Sequence, residues 1–263
     1  MEARVETSID DHVARVMLNR PEKYNALDLD MFLALDAAVL ALAEDKSVRA
    51  VILHGAGRGF CTGLDVKSFM HQPDRAQQLI EKRDNESANL AQRVGIGWQK
   101  LPVPVIAALH GNVFGGGLQI ALGADIRLIA ADTQMSVMEI KWGLVPDMSG
   151  TQTLKNLLSL DVCKELTFTG RIVGAAEAAR IGLATRVCED PLAAATKLAR
   201  EIAGRSPDAI RAAKRLLNDA WQTDVAEGLR MESDAQMRLI GRPNQLEAVR
   251  ANFEKRTPDF TGG

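Results

Sequence analysis

The sequence predicts an α/β domain that passes into an all-helical tail, and three observations carry that expectation. Through the first 190 residues, short apolar runs of strand character alternate with helical patterns. Glycine-rich turns follow two of those runs directly, and beyond Asp190 the texture changes to Ala, Leu, Lys and Arg at helical spacing.

Residues 3–8 and 12–19 alternate apolar and polar positions as two antiparallel strands would, with a turn at Asp10-Asp11. Asp28 offers an N-cap to a helix whose buried stripe is Met31, Leu35, Ala38, Val39 and Leu42. The apolar run 48–55 then reads as a buried strand, as do 104–109 and 125–130, with a glycine-opened helix at 115–124 between the last two. The polar span from His71 to Arg93 is either a solvated face or a mobile helix beside a pocket. In the tail, breaks at 204–207 and 241–243 separate about three helices. Their apolar stripes, including Ala209, Ala212, Ala213, Leu216 and Leu217, need a partner on the core or on another subunit.

With 263 residues and 46% hydrophobic content, one sizeable domain with an appended element is expected. A formal charge of −2 gives no global attraction to nucleic acid or an anionic membrane, so any phosphate must be met locally. Three cysteines, Cys61, Cys163 and Cys188, lack the paired spacing of a disulfide framework or a zinc site, which suits a reducing, cytoplasmic setting. The N-terminal residues are unlike a signal peptide, and no apolar run approaches the ~18 residues of a membrane span.

The loop from Arg58 to Asp65 contains glycines that permit a sharp turn presenting backbone N–H groups. The loop from His110 to Gly117 brings three consecutive glycines to the start of a helix. Each alone is more often only a turn. Together they can aim two donors at one oxygen, which is what a thioester carbonyl needs as it becomes an enolate. A dinucleotide site is the rival, but G-x-G-x-x-G, its first-strand placement and its following acidic residue are missing, as is a P-loop.

Five ordered motifs, Leu18 to Leu27, Phe60 to Lys67, Gly111 to Gly117, Gly143 to Gln152 and Phe253 to Pro258, resemble the crotonase superfamily of enoyl-CoA hydratases and isomerases. The resemblance implies a spiral of ββα units over 1–195 and a helical trimerisation region over 196–263, the trimers often pairing into hexamers. It implies an acyl-CoA substrate, no separate cofactor because coenzyme A belongs to the substrate, and an oxyanion hole formed by the N–H groups of Leu64 and Gly116. It also places Lys23, Ala26, Asp65 and Lys67 along the coenzyme A strand, although a plain surface role stays open for the lysines.

Hydratases of this family hold a water between two glutamates. Here the first position is Gln119 and the second Glu139, and an amide cannot take a proton from water. Asp147, eight residues after Glu139, resembles the second carboxylate of dienoyl-CoA isomerases, or caps the helix that follows. The expected function is therefore double-bond isomerisation of an unsaturated acyl-CoA, with Glu139 moving the α-proton and Asp147 assisting. Hydration by Glu139, with Gln119 orienting the water, is the alternative within the family, and a non-catalytic coenzyme A scaffold the alternative outside it. His110 and Cys61 read as structural, the first for want of a triad and the second for want of a basic partner. Trp142 shapes the acyl pocket or fills core.

Overall fold

The computed structural model describes residues 3–71, 73–82 and 87–262. Its strands, in chain order, are β1 (Val5–Asp10), β2 (Val13–Leu18), β3 (Ala50–Gly55), β4 (Val105–Leu109), β5 (Asn112–Phe114), β6 (Ile126–Ala130), β7 (Gln134–Ser136), β8 (Val173–Gly174) and β9 (Arg186–Cys188). They form a six-stranded sheet in the order β1-β2-β3-β4-β6-β9 and a three-stranded sheet in the order β5-β7-β8. Only the first pair of the large sheet is antiparallel.

The hairpin turns at Asp11-His12, one residue later than the pattern suggested, and Asp10 stays in register opposite Val13. Both turn residues have positive φ, 45° and 65°, the backbone that a two-residue hairpin loop requires to match strand twist. The order strand, strand, helix then recurs. β1 and β2 lead to the helix Leu29–Glu44, β4 and β5 to Gly116–Leu122, and β6 and β7 to Gly150–Leu154. In the second and third of these units the first strand joins the large sheet and the second the small one.

A parallel sheet must be covered on both faces, and the alternation of side chains along the strands divides the core accordingly. Val51, Leu53, Val105, Ala107 and Leu109 face the helices Leu29–Glu44 and Leu90–Lys100. Ala50, Ile52, Ile106, Ala108 and Leu128 face Ala195, Ala199 and Ala203, a stripe at i, i+4, i+8 on the helix Pro191–Ala203. The boundary expected between 195 and 196 thus falls inside a helix whose alanines close the second face of the sheet.

Helix punctuation follows local chemistry. Asp28 accepts from Met31 N–H as its N-cap, and Asn89 with Gln92 forms a capping box ahead of Leu90–Lys100. Within the polar span after His71, Pro73–Ile80 is helical, while residues 72 and 83–86 lie outside the described residues. Beyond residue 206 the tail has helices Pro207–Ala220, Val225–Leu239 and Pro243–Glu254. The break at Trp221 to Asp224 was not expected; Asp224 restarts the chain by capping Glu227 N–H. No helix among the described residues is long and apolar enough to cross a membrane.

One buried ammonium ties the tail to the core. Lys214 Nζ lies 2.7 Å from Asp125 Oδ2, 3.1 Å from the Trp98 carbonyl and 2.9 Å from that of Val103, so all three of its donors are used. Burial pushes its pKa down, and the Asp125 charge opposes that. The outward faces of the tail have no such anchor: Trp221 is 71% exposed and Phe253 85%. Lys214→Met is expected to lose about 3 kcal/mol by leaving two carbonyls without their donor and Asp125 without its cation, with only the Val105 N–H bond kept at Oδ2, read as a lower urea midpoint. An unchanged midpoint would show that the tail is held elsewhere.

Candidate active site

The two glycine loops meet at the edge of the small sheet. Cys61 bridges Val113 of β5, and Leu64 bridges Leu27, so the loop after β3 is stitched to β5 on one side and to the 19–27 turn on the other. Gly63 sits between those bridges with φ 83°, and a Cβ there would lie 2.8 Å from the Phe114 carbonyl and 3.2 Å from Gly116 N. Only glycine permits both that backbone and that approach. Gly116 opens the helix Gly116–Leu122, and its missing side chain leaves room for Met148 Sδ and Leu27 Cδ1, which a Cβ would meet at 2.7 and 3.0 Å. Among the described residues neither Leu64 N–H nor Gly116 N–H donates to a protein acceptor. Two unclaimed donors therefore lie close together, one of them at a helix N-terminus.

Glu139 stands beside them. It is 9% exposed, and its Oε1 comes within 3.5 Å of where a Cβ on Gly115 would be. Gln119, 2% exposed, donates from Nε2 to that Oε1 at 2.6 Å and accepts with its own Oε1 from Met148 N and Gly150 N, both at 2.9 Å. Glu139 Oε2 is buried with no partner. Burial pushes the Glu139 carboxyl above its ordinary value and the Asp147 charge adds to the rise, while the Gln119 bond opposes it.

Asp147 has an exposed surface, yet its carboxyl is crowded enough that burial raises its pKa too. It caps no helix: the N-cap of Gly150–Leu154 is Ser149, without a side-chain bond. The charge of Asp147 adds to the rise at Glu139. Trp142 is 56% exposed at the end of the 3₁₀ turn Glu139–Trp142, so it does not fill core. His110 bonds the Gly57 carbonyl at 2.9 Å, and burial pushes the Cys61 thiol up to about 12, which leaves both structural.

The remaining expected residues gather around Arg20, which sequence reasoning passed over. Arg20 Nη1 donates to the Ala26 carbonyl at 2.8 Å and to Asp65 Oδ2 at 2.9 Å. Asp65 also caps the helix Val66–Met70 through Ser68 N–H. Burial works against the charge on Asp65, but the Arg20 and Ser68 bonds, with the Arg20 and Lys23 charges, outweigh it and hold the carboxyl below its usual range. Lys23 and Lys67 are exposed on the two segments that Arg20 joins. Asn25, also unassigned from sequence, is fully buried with φ 55°; its amide donates to the carbonyls of Ala56, Gly59 and Phe60 while its Oδ1 accepts from Arg20 N. Asparagine tolerates that left-handed backbone, which was the available signal.

A family model described as enoyl-CoA hydratase/isomerase matches residues 8–263. The chain belongs to the enoyl-CoA hydratase/isomerase family. A short-chain-enoyl-CoA hydratase of Clostridium acetobutylicum is 34% identical over 93% of this chain and 92% of its own. The mitochondrial methylglutaconyl-CoA hydratase of Mus musculus is 34% identical over 93% of this chain and 78% of its own. The crystal structure of an enoyl-CoA hydratase from Bacillus anthracis superposes with a TM-score of 0.90 at 31% identity, covering 98% of each chain. Membership of this family accounts for the layered α/β architecture and the strand-strand-helix order.

For Glu139 the folded-state pKa lies above the unfolded one. Its ionised form is thus penalised by folding at pH above the folded value, and the penalty fades below the unfolded value. Glu139→Gln is expected to melt at a higher temperature than the native enzyme at about pH 8, with the gap closing toward about pH 4. A lower melting temperature at the higher pH would make the carboxylate net stabilising.

Proposed function

We propose that this enzyme of the enoyl-CoA hydratase/isomerase family shifts the double bond of an unsaturated acyl-CoA. The thioester oxygen sits between Leu64 N–H and Gly116 N–H, Glu139 removes the α-proton, and Asp147 assists its return further along the chain. The observation that carries this reading is one buried carboxylate with an unpartnered oxygen beside two unclaimed backbone donors. A free carboxylate cannot ionise a thioester α-carbon unaided. Oxyanion donors at roughly 3–4 kcal/mol each supply the missing stabilisation, because they strengthen as charge moves onto the oxygen. Lys23, Ala26, Asp65 and Lys67 lie along the coenzyme A strand in this reading. The acyl-CoA itself brings the only coenzyme the chemistry calls on.

Hydration of a 2-enoyl-CoA is the second reading, favoured by the hydratase names of the relatives. Against it stands Gln119, whose carbonyl oxygen already accepts from two backbone N–H groups and is closed to a water.

A panel of 2-enoyl, 3-enoyl and 3,5-dienoyl thioesters followed by ultraviolet absorbance tests both. Glu139→Gln is expected to lose about 10²–10⁴-fold in kcat with little change in KM, and Asp147→Asn to slow dienoyl shifts more than 2-enoyl turnover. Gly116→Pro removes the donor and crowds Met148 Sδ, which a Cβ meets at 2.7 Å; it is expected to abolish turnover, with circular dichroism checking that the fold survives. Near-native rates in the Glu139 or Gly116 variants would remove the mechanism.

The assembly proposed is a trimer or a dimer of trimers, supported by the exposed Leu217, Trp221, Val225, Met237 and Phe253 of the tail. Light scattering at micromolar concentration is expected to give three or six chains, and a monomer would overturn it.

A further inference from the structure

The amide of Gln119 has one possible orientation. Met148 N–H and Gly150 N–H both point at one end of it, so that end must be oxygen and the other must be the NH₂ that faces Glu139. Flipping the amide would set donor against donor at one end and oxygen against carboxylate at the other. The consequence is an asymmetry in Glu139: Oε1 is clamped at 2.6 Å, and Oε2 is buried and unpartnered.

Resting on the reading of Glu139 as the base, we propose that Gln119 is its positioning residue, holding Oε1 so that Oε2 alone carries the proton to and from substrate. The same amide reaches further. Its bond to Met148 N fixes the residue next to Asp147. Met148 Sδ in turn backs onto Gly116, where a Cβ would meet it at 2.7 Å. Base, second carboxyl and oxyanion donor are thus referenced to a single buried amide.

The choice of amide over carboxylate follows from charge. The helix Gly116–Leu122 that bears Gln119 has no titratable residue. The 3₁₀ turn of Glu139 carries Lys141, and the helix Leu160–Thr169 packed on that turn carries Asp161, Cys163, Lys164 and Glu165, but the charge that acts on Glu139 is that of Asp147. Burial and Asp147 both favour the protonated form. The Gln119 donor is the neighbouring side chain that favours the ionised one. A carboxylate at 119 would place a second negative oxygen against Oε1, and one proton would then be shared by the pair.

The test uses the intact enzyme with butyryl-CoA in D₂O, following loss of the α-proton signal by NMR across pD. This exchange needs only a base and an oxyanion hole, so it is blind to whether the enzyme hydrates or isomerises. In the native enzyme the rate is expected to fall on the acid side as Glu139 protonates. Gln119→Met keeps the volume but lacks the donor, and is expected to move that acid limb to higher pD by about one unit or more, the size of a lost hydrogen bond to a charged group. Gln119→Glu, with one proton shared by the pair, is expected to replace the single acid limb by two separated steps. It keeps the bonds to Met148 and Gly150 N–H, so it serves if the methionine variant does not fold. A purely structural Gln119 would lower the rate equally at every pD, and an unmoved acid limb in a folded variant overturns the proposal. Glu139→Gln separates this from the parent reading. Native exchange in that variant, or no exchange in the native enzyme, removes Glu139 as base altogether. A dead Glu139→Gln with static limbs in both Gln119 variants removes only the clamp.

Discussion

Two backbone N–H groups left without protein acceptors are the constraint around which this molecule is arranged. An unsatisfied donor away from water costs about 1–3 kcal/mol, and a chain with freedom to relax would close Leu64 or Gly116 onto a nearby carbonyl. The backbone around them is instead held by bonds to other partners. Leu27 N–H takes the Gly63 carbonyl, Asp65 N–H takes that of Leu27, and Phe114 N–H takes that of Cys61.

That local bonding depends on a frame that reaches well beyond the two loops. Asn25 pins the turn at 56–60 through three carbonyls, and Arg20 joins the Pro21–Ala26 segment to Asp65. These bonds act between segments some thirty to forty-five residues apart, so they place the loops relative to each other rather than stabilise either alone. The small sheet is the third support, since β5 receives Cys61 on one side and β7 on the other. A parallel sheet saturated on both faces, one by leucine-rich helices and one by an alanine stripe, gives this frame a rigid base.

Periodicity made the α/β class, the hairpin, the strands at 50–55, 105–109 and 126–130 and the tail helices readable, because each is specified by residues within a few positions of one another. The glycine loops were readable as turns for the same reason, while the N–H groups of Leu64 and Gly116 were named by the family resemblance. The packing of Ala195, Ala199 and Ala203 on the sheet was not, since an alanine stripe does not name the surface it covers. Nor was the role of Asn25 or Arg20, whose partners are distant in sequence and become visible only when the fold brings them together. Trp142 was ambiguous between pocket and core, and its exposure rejects the core. Gln119 was read by what it lacks, a carboxylate, whereas its meaning in the structure lies in what it holds.

In the proposed reading, Gln119 is the residue whose type redirects the family's chemistry without altering the fold. Two carboxylates around one water can divide the tasks of base and acid, but each raises the other's affinity for protons, so the pair must be tuned together. An amide in the first place removes that coupling and leaves one carboxylate, already disfavoured in its charged form by burial, with a neutral donor on one oxygen and nothing on the other. Such a group is poor at activating water, which needs an acceptor and a donor in turn on opposite sides. It is suited to taking a proton from one carbon of a bound chain and, with Asp147 assisting as proposed, returning one to another. In the proposed reading the thioester oxygen sits between Leu64 N–H and Gly116 N–H, so the remaining freedom is which carbon comes under Oε2, with Asp147 assigned to the far end of that choice.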